Sequence, residues 1–471
     1  MNLKSINNLF SFAHRKDLSA IMQERFLLSY YDLFEQSKNV AGFLASKQIK
    51  KDDYVLVLYE DQFYFIKTII GLWYLGATPV VLNSKLLENE IISIIKDYGF
   101  NFLLTDKLIN IEPDQIETIQ IDFHTLLHTK EIYSDFFIPN KKDEAVVIFT
   151  SGTSGKPKGV VHTFSSLINS IENGNKILKH QEKDRWLASL PFYHIGGFQI
   201  ICRSLYYGCT IVIPESLKTD DLETTITNLN PTHISLVSAQ LQKFISLGII
   251  ANKSVKITLM GGGFIDDELM IEADNIGWKP LRVYGSSETA SFITAVSTNE
   301  IKTKPHSVGR IIGDPEIKIS EDGEIQVRSN SLFKNYLNNK KETDAKLVNG
   351  FYYTGDLGFM DDEGYLFIEA RRNDLIVTGG ENVNPVEVEK AILQIQGIRD
   401  VCVFAKQDKT WGQTVACVLV LDNAELEEKI IKEKLKQIIT GYKIPKQFFF
   451  TNKLPRTNLG KLERDKIKKM F

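Results

Sequence analysis

From residue 54 to about 290 the chain alternates short apolar runs with longer stretches of helical period. Few architectures accommodate that rhythm. The runs YVLVLY (54–59), TPVVLN (78–83), FLLT (102–105), AVVIFT (145–150), TIVIP (210–214), HISLVS (233–238) and VKITLM (255–260) are bounded by turn residues, as strands buried on both faces are. Helices are predicted between several of them, at 86–98, 163–178 and 221–229, the last stopped by Asn230-Pro231. Parallel strands need a crossover that packs back on the sheet, so this alternation implies helix-covered parallel sheets and an α/β fold class. After about 310 the pattern changes. EIKISEDGEIQVRS and FYYTGDLGFMDDEGYLFIEAR carry Asp322-Gly323 and Glu363-Gly364 between alternating runs, which predicts antiparallel hairpins in a separate β-rich unit. Beyond Arg372 a helix at 385–393, the strands VCVFA and ACVLVL, the charged helix ELEEKIIKEKLKQII and a basic end make up a small α+β unit. At roughly 150 residues per domain, 471 residues suggest about three units. The division expected is an N-terminal domain over 1–373, with a β-rich subdomain at about 305–370, and a C-terminal domain over 374–471.

Charge and composition exclude several function classes. Lys and Arg total 56 against 59 Asp and Glu, and a net charge of -3 offers no general attraction to nucleic acid. The first twenty residues lack the apolar core of a secretory signal, and no stretch approaches the ~18 apolar residues of a membrane span. A cytoplasmic location without a membrane span is expected, and a homo-oligomer is compatible with the sequence. Cys202, Cys209, Cys402 and Cys417 form no CxxC pair and have no histidines at ligand spacing. They read as small buried hydrophobes rather than a zinc site or disulfide framework.

The sharpest chemical signal follows the strand AVVIF. Thr150, Ser151, Gly152, Thr153, Ser154, Gly155, Lys156, Pro157, Lys158 and Gly159 combine glycines that let backbone N–H groups approach an anion, hydroxyl donors and two cations. Polyphosphate is the expected ligand. The P-loop pattern does not fit, because Gly152 and Gly155 enclose only two residues and Pro157 occupies the position of the metal-binding hydroxyl.

This loop resembles the SGTTGxPKG signature of the adenylate-forming superfamily of acyl-CoA synthetases, peptide-synthetase adenylation domains and luciferases, with Ser154 in place of the second Thr. Other segments match in the family's order. Tyr284-Gly285-Ser286-Ser287-Glu288 is similar to YGxTE, and Tyr353-Thr354-Gly355-Asp356 to the aromatic-x-TGD motif. Arg372-Asn373-Asp374 with Gly379-Gly380-Glu381-Asn382 is similar to RxD...GGEN, and Leu454 to Lys461 to LPxTxxGK. The resemblance implies ATP and coenzyme A as co-substrates with Mg²⁺. It assigns the 150–158 loop to the phosphates, Glu288 to the metal, Asp356 to the ribose diol, and Tyr284, Gly285, Ser286, Ser287 and Arg372 to the nucleotide. Gly261-Gly262-Gly263 offers a flat backbone face for adenine, although any strand-to-helix turn rich in glycine would look the same. Lys461 would neutralise charge where a carboxylate attacks the α-phosphate. Asp374 would be the hinge of a mobile C-terminal domain, bringing Gly379 and Gly380 over the site for coenzyme A. Arg371 stands where relatives usually have Gly.

On the acid side, Leu190-Pro-Phe-Tyr-His194-Ile-Gly-Gly197 precedes a predicted helix bearing Arg203. From the residues alone, His194 reads as a core histidine bonded to backbone. The resemblance puts it at the catalytic centre, on the pocket wall with Gly285 and Ser291. Arg203 lies in an apolar stretch and needs an anion, either a structural Asp or Glu or a second substrate carboxylate. The runs LPFYHIGGFQIICRSLYYGC, YGSSETAS and RRNDLIVTGGENVNPVEVE are most similar to the o-succinylbenzoate-CoA ligase branch of the superfamily, which serves menaquinone biosynthesis. Phe292 departs from the polar residue expected after TAS. The implied reaction is a two-step, AMP-forming ligation of a small carboxylic acid, with another aryl or fatty acid, or a stand-alone adenylation enzyme, as the alternative.

Overall fold

The structure is a computed structural model. It describes the chain except residues 1–5, 7–8, 11–14, 110, 112–115, 123–125, 127–135, 151–156, 264, 372–375, 379–380, 409–411, 423–425, 440, 458–459 and 461. The mixed α/β class expected from sequence is present, as a large N-terminal portion of helix-covered sheets and a small C-terminal one.

A seven-stranded sheet has the order Asn335–Tyr336, Lys158–Thr163, Glu144–Thr150, Thr78–Val81, Tyr54–Leu58, Phe102–Thr105, Glu117–Ile119. Its strands are parallel from Glu144–Thr150 onward and antiparallel on the other side, where Lys158–Thr163 folds back on Glu144–Thr150. The phosphate-loop motif is therefore the connection of an antiparallel hairpin, although residues 151–156 themselves lie outside the described residues. The larger sheet is parallel from Ser19–Gln23 through Thr210–Val212, Arg185–Leu187, His233–Leu236 and Ile257–Met260 to Pro280–Ser286. There it turns antiparallel through Ser291–Ser297 and Ser307–Ile311. Ser307–Ile311 also pairs with Leu366–Arg371, so the hairpins expected as a separate unit continue the same sheet.

Helices Tyr30–Ser46, Gln62–Leu75, Phe164–Leu178 and Ile195–Tyr207 share one core with Ile21 of the larger sheet and Val55 and Val57 of the smaller. Leu56 and Leu58 point the other way, onto Ile91, Ile94 and Ile95 of helix Glu88–Tyr98. Period-2 alternation thus buries both faces of the strand, which explains its unbroken apolar run. All four cysteines are buried and unbonded, and burial pushes the Cys202 thiol up to about 12, as inert packing residues require. In the C-terminal portion, Ile398–Asp408 and Gly412–Leu421 form a long antiparallel pair flanked by Ile376–Thr378 and by Gln447–Phe450. Helix Pro385–Leu393, capped by Asn384 with proline in its first turn, packs on it. No helix of the described residues is long and apolar enough to cross a membrane.

Candidate active site

The larger sheet changes from parallel to antiparallel at Pro280–Ser286, and ligands of open α/β sheets gather beyond the carboxyl ends of such strands. Tyr284, Gly285 and Ser286 end this strand, and Ser287–Thr289 form one 3₁₀ turn. Gly285 is required by packing, since a Cβ there would lie 2.0 Å from the Ser291 carbonyl oxygen. The Tyr284 hydroxyl donates to Asp356 Oδ2 at 2.8 Å, which joins two motifs that are 72 residues apart. Asp356 sits on Phe351–Met360 and is half-buried. On the neighbouring strand, Ile257–Met260 runs into Gly261, Gly262 and Gly263. Gly262 has φ +85, a Cβ on Gly261 would stand 3.1 Å from the Val283 side chain, and among the described residues nothing stands within 4 Å of a Cβ built on Gly263, so the run is open at that end.

Glu288 is half-buried, with Oε1 accepting the Tyr336 hydroxyl at 2.8 Å. Among the described residues Oε2 receives no hydrogen bond, and no group of three His, Cys, Asp or Glu could form a metal cage. A lone carboxylate with one oxygen uncommitted fits Mg²⁺, which keeps several waters and takes its other ligands from substrate phosphates. The strand after the phosphate loop is tied to this acid from behind. His162 Nε2 lies 2.7 Å from the Ser287 carbonyl oxygen, and Nδ1 lies 3.0 Å from Ser166 Oγ. A carbonyl only accepts, so Nε2 carries the proton, and burial holds the ring neutral by lowering its pKa to about 4.

Lys158 does not stand free at the loop's end. Its ammonium pairs with Glu342 at 2.5 Å and lies 5.6 Å from the centre of the Tyr336 ring. Thr150 Oγ1 contacts the Lys158 carbonyl at 3.5 Å. Ser151, Gly152, Thr153, Ser154, Gly155 and Lys156 lie outside the described residues, as do Arg372, Asp374, Gly379, Gly380 and Lys461. The neighbour Gly460 is described. A Cβ on it would stand 3.1 Å from the Ala239 side chain, at the start of helix Ser238–Ser246 and just past the strand His233–Leu236. Arg456 fastens this tail loop by donating to the Gly460 carbonyl at 2.8 Å and to both carboxylate oxygens of Asp400 at 2.7 and 2.8 Å.

His194 caps helix Ile195–Tyr207 through its backbone, while its side chain makes no hydrogen bond among the described residues. The ring lies 4.7 Å from Tyr193, is half-buried, and has its pKa pushed down to about 4 by desolvation. The backbone-bonded core histidine considered from sequence is not what is found. Arg203, on the same helix, is 1% exposed. It has no ion pair with an acid among the described residues, and its one hydrogen bond there runs from Nη2 to Ser291 Oγ at 3.1 Å.

Against known proteins, residues 11–337 match the family described as AMP-binding enzyme, and residues 387–461 match the AMP-binding enzyme C-terminal domain. The chain belongs to the AMP-binding enzyme family. Its relatives include the 2-succinylbenzoate–CoA ligase of Bacillus subtilis (strain 168), 32% identical over 460 residues that cover 95% of this chain and 94% of the other. Among solved structures it resembles the o-succinylbenzoate CoA synthetase of Bacillus subtilis in complex with its acyl-adenylate intermediate, with TM-score 0.89, 31% identity and coverage of 98% and 97%. It resembles the same synthetase in complex with ATP and magnesium equally well, with TM-score 0.89, 31% identity and coverage of 98% and 99%.

Within this AMP-binding enzyme, sequence reasoning named Tyr284, Glu288, Asp356 and Arg203 but missed His162, Tyr336 and Glu342, which hold those motifs together. His162 was detectable as the one ionisable side chain inside the buried run GVVHT. Tyr336 and Glu342 had no such signal, since their partners Glu288 and Lys158 lie 48 and 184 residues away.

Proposed function

We propose that this AMP-binding enzyme is an acid–thiol ligase that converts 2-succinylbenzoate to 2-succinylbenzoyl-CoA, a step of menaquinone biosynthesis, in the cytoplasm. A carboxylate oxygen attacks the α-phosphorus of ATP, the bond to the β-phosphate oxygen breaks, and pyrophosphate leaves. The sulfur of coenzyme A then attacks the acyl carbon, AMP departs with the bonding electrons, and the thiol proton is released. No side chain forms a covalent bond, so catalysis is positioning plus charge neutralisation.

The observation that carries the substrate assignment is the buried guanidinium of Arg203, unpaired with any acid among the described residues, in a chain whose relatives act on a dicarboxylate. In this reading Arg203 and Ser291 take the carboxylate that is not activated, with His194 and Gly285 on the pocket wall. Asp356, its one oxygen already engaged by Tyr284, accepts from the ribose diol. Gly261 to Gly263 face the base. Mg²⁺ bound through Glu288 supplies charge neutralisation at the phosphates, and the Tyr336 hydroxyl fixes the orientation of that carboxylate. The 151–156 loop and Thr150 cradle phosphate, whereas Lys158 acts through its pair with Glu342 to hold the loop's exit. Arg372 contacts the nucleotide. The chain divides at Asp374, the hinge about which residues 374–471 turn to present Gly379 and Gly380 to coenzyme A.

With ATP, Mg²⁺ and coenzyme A, 2-succinylbenzoate is expected to give stoichiometric AMP, pyrophosphate and the thioester by mass spectrometry. Benzoate and fatty acids should give rates lower by about 10²-fold or more, the scale expected when a buried polar group is left unpaired. Release of ADP and phosphate, or a fatty acid turned over faster than 2-succinylbenzoate, would contradict the assignment.

A further inference from the structure

We propose that Trp186 and Phe292 form an aromatic slot that holds the Arg203 guanidinium, unpaired with any carboxylate among the described residues, toward the second carboxylate of the substrate, which makes both rings specificity-determining positioning residues. This rests on the substrate reading above and asks what keeps the cation in place before substrate arrives. A guanidinium with 1% exposure ordinarily needs an anionic partner. Here it lies 5.1 Å from the centre of the Phe292 ring and 5.5 Å from that of Trp186. Ring faces attract a cation without cancelling its charge, so the slot stabilises the guanidinium while leaving it able to bind a carboxylate. Among the described residues its Nε is buried without a partner, and its single hydrogen bond goes to a neutral hydroxyl.

The groups packed directly behind the slot are aromatic, and the nearest buried acid beyond them, Asp184, is paired with Lys256. Behind Trp186 stand His180 and His233, stacked on it at 5.1 and 5.2 Å. Both rings are held neutral by burial and by the proximity of Arg203 itself. The far end is set by strain. Ala290 and Ser291 have φ of 57 and 118, a conformation that non-glycine residues rarely adopt. The Ala290 carbonyl accepts from Ser170 Oγ at 2.7 Å and Gln199 Nε2 at 2.9 Å, and Thr289 Oγ1 donates to the Ser291 carbonyl at 2.6 Å. The strained residue is the one whose hydroxyl meets Arg203. Phe292 follows it directly and pairs in register with Gly285, and its ring is the one that meets the guanidinium.

The test compares Phe292→Leu and Phe292→Met, which keep apolar bulk, with Phe292→Tyr, which keeps the ring. AMP release is measured with 2-succinylbenzoate and with its two mono-acids, 4-oxo-4-phenylbutanoate and 2-butanoylbenzoate, alongside KM for ATP. Loss of the ring is expected to raise KM for 2-succinylbenzoate about tenfold and to narrow the preference for the di-acid by a similar factor. KM for ATP should stay unchanged, and Phe292→Tyr should restore the preference. A wild-type enzyme indifferent to losing either carboxylate overturns the substrate reading and the slot with it. A discriminating wild type whose preference survives in whichever of the two ring-less variants folds overturns the slot alone.

Discussion

Replacing Lys461 by alanine is expected to lower 2-succinylbenzoate-dependent exchange of pyrophosphate into ATP by about 10²–10³-fold, the scale on which removal of one preorganised electrostatic contact acts. Thioester formation from supplied acyl-adenylate and coenzyme A should stay largely intact. The asymmetry follows from the charges. In the first step an anionic carboxylate approaches a polyanionic nucleotide, and a mobile ammonium that meets the developing charge lowers that barrier directly. In the second step a sulfur attacks an acyl carbon, and phosphorus changes no bond. The described neighbour Gly460, against Ala239 beyond the end of His233–Leu236, supports delivery of this segment to the carboxyl ends of the parallel strands. The Arg456–Asp400 pair stiffens the loop that carries it. Equal loss in both half-reactions would mean that the lysine maintains the fold of the tail instead of serving adenylation.

Arg203→Met should cut kcat/KM for 2-succinylbenzoate by about 10²-fold, as removing one partner of a desolvated charge pair does, and at the same time raise thermal stability. The second effect has the opposite sign to most core substitutions. In the free enzyme Arg203 is a cation buried without an acid among the described residues, and burial lowers its pKa to about 10, the mark of a charge that its surroundings disfavour. Methionine removes that charge while filling much of the space with an unbranched chain, so a gain on the order of 1 kcal/mol in unfolding free energy is expected. A calorimetric scan paired with steady-state kinetics reads both. A variant that is both less active and less stable would show that the two rings and the Ser291 hydroxyl already offset the cost of burying the guanidinium, and would contradict the predicted gain.

The parts of the molecule legible in the sequence are those that short-range patterning dictates. YVLVLY, FLLT and AVVIFT are strands because both of their faces are buried, and apolar runs of that length record it. The hairpins around Gly323 and Gly364 follow from glycine at φ +82 and +81. Lys158–Thr163 was hidden, because its first two residues belong to the phosphate-loop signature, its last to the predicted helix at 163–178, and only pairing with Glu144–Thr150 makes the segment a strand. The reversal at Pro280–Ser286, which places the site, was hidden likewise, since nothing in SFITAVS states whether the strand runs with or against its neighbour. In the site, single motifs announced themselves while the contacts between them did not. Tyr284 with Asp356, Tyr336 with Glu288 and Lys158 with Glu342 each join segments brought together only by the fold. Arg203 lay between, since sequence posed the question of its partner and three-dimensional packing answered with two rings and a hydroxyl.

The central claim is that a carboxylate is activated as an adenylate before any thiol takes part, and exchange of labelled pyrophosphate into ATP by the wild-type enzyme tests it most directly. Exchange is predicted to require 2-succinylbenzoate and Mg²⁺ and to proceed fully without coenzyme A. Exchange that appears only when coenzyme A is added, or that is indifferent to the acid, would contradict it.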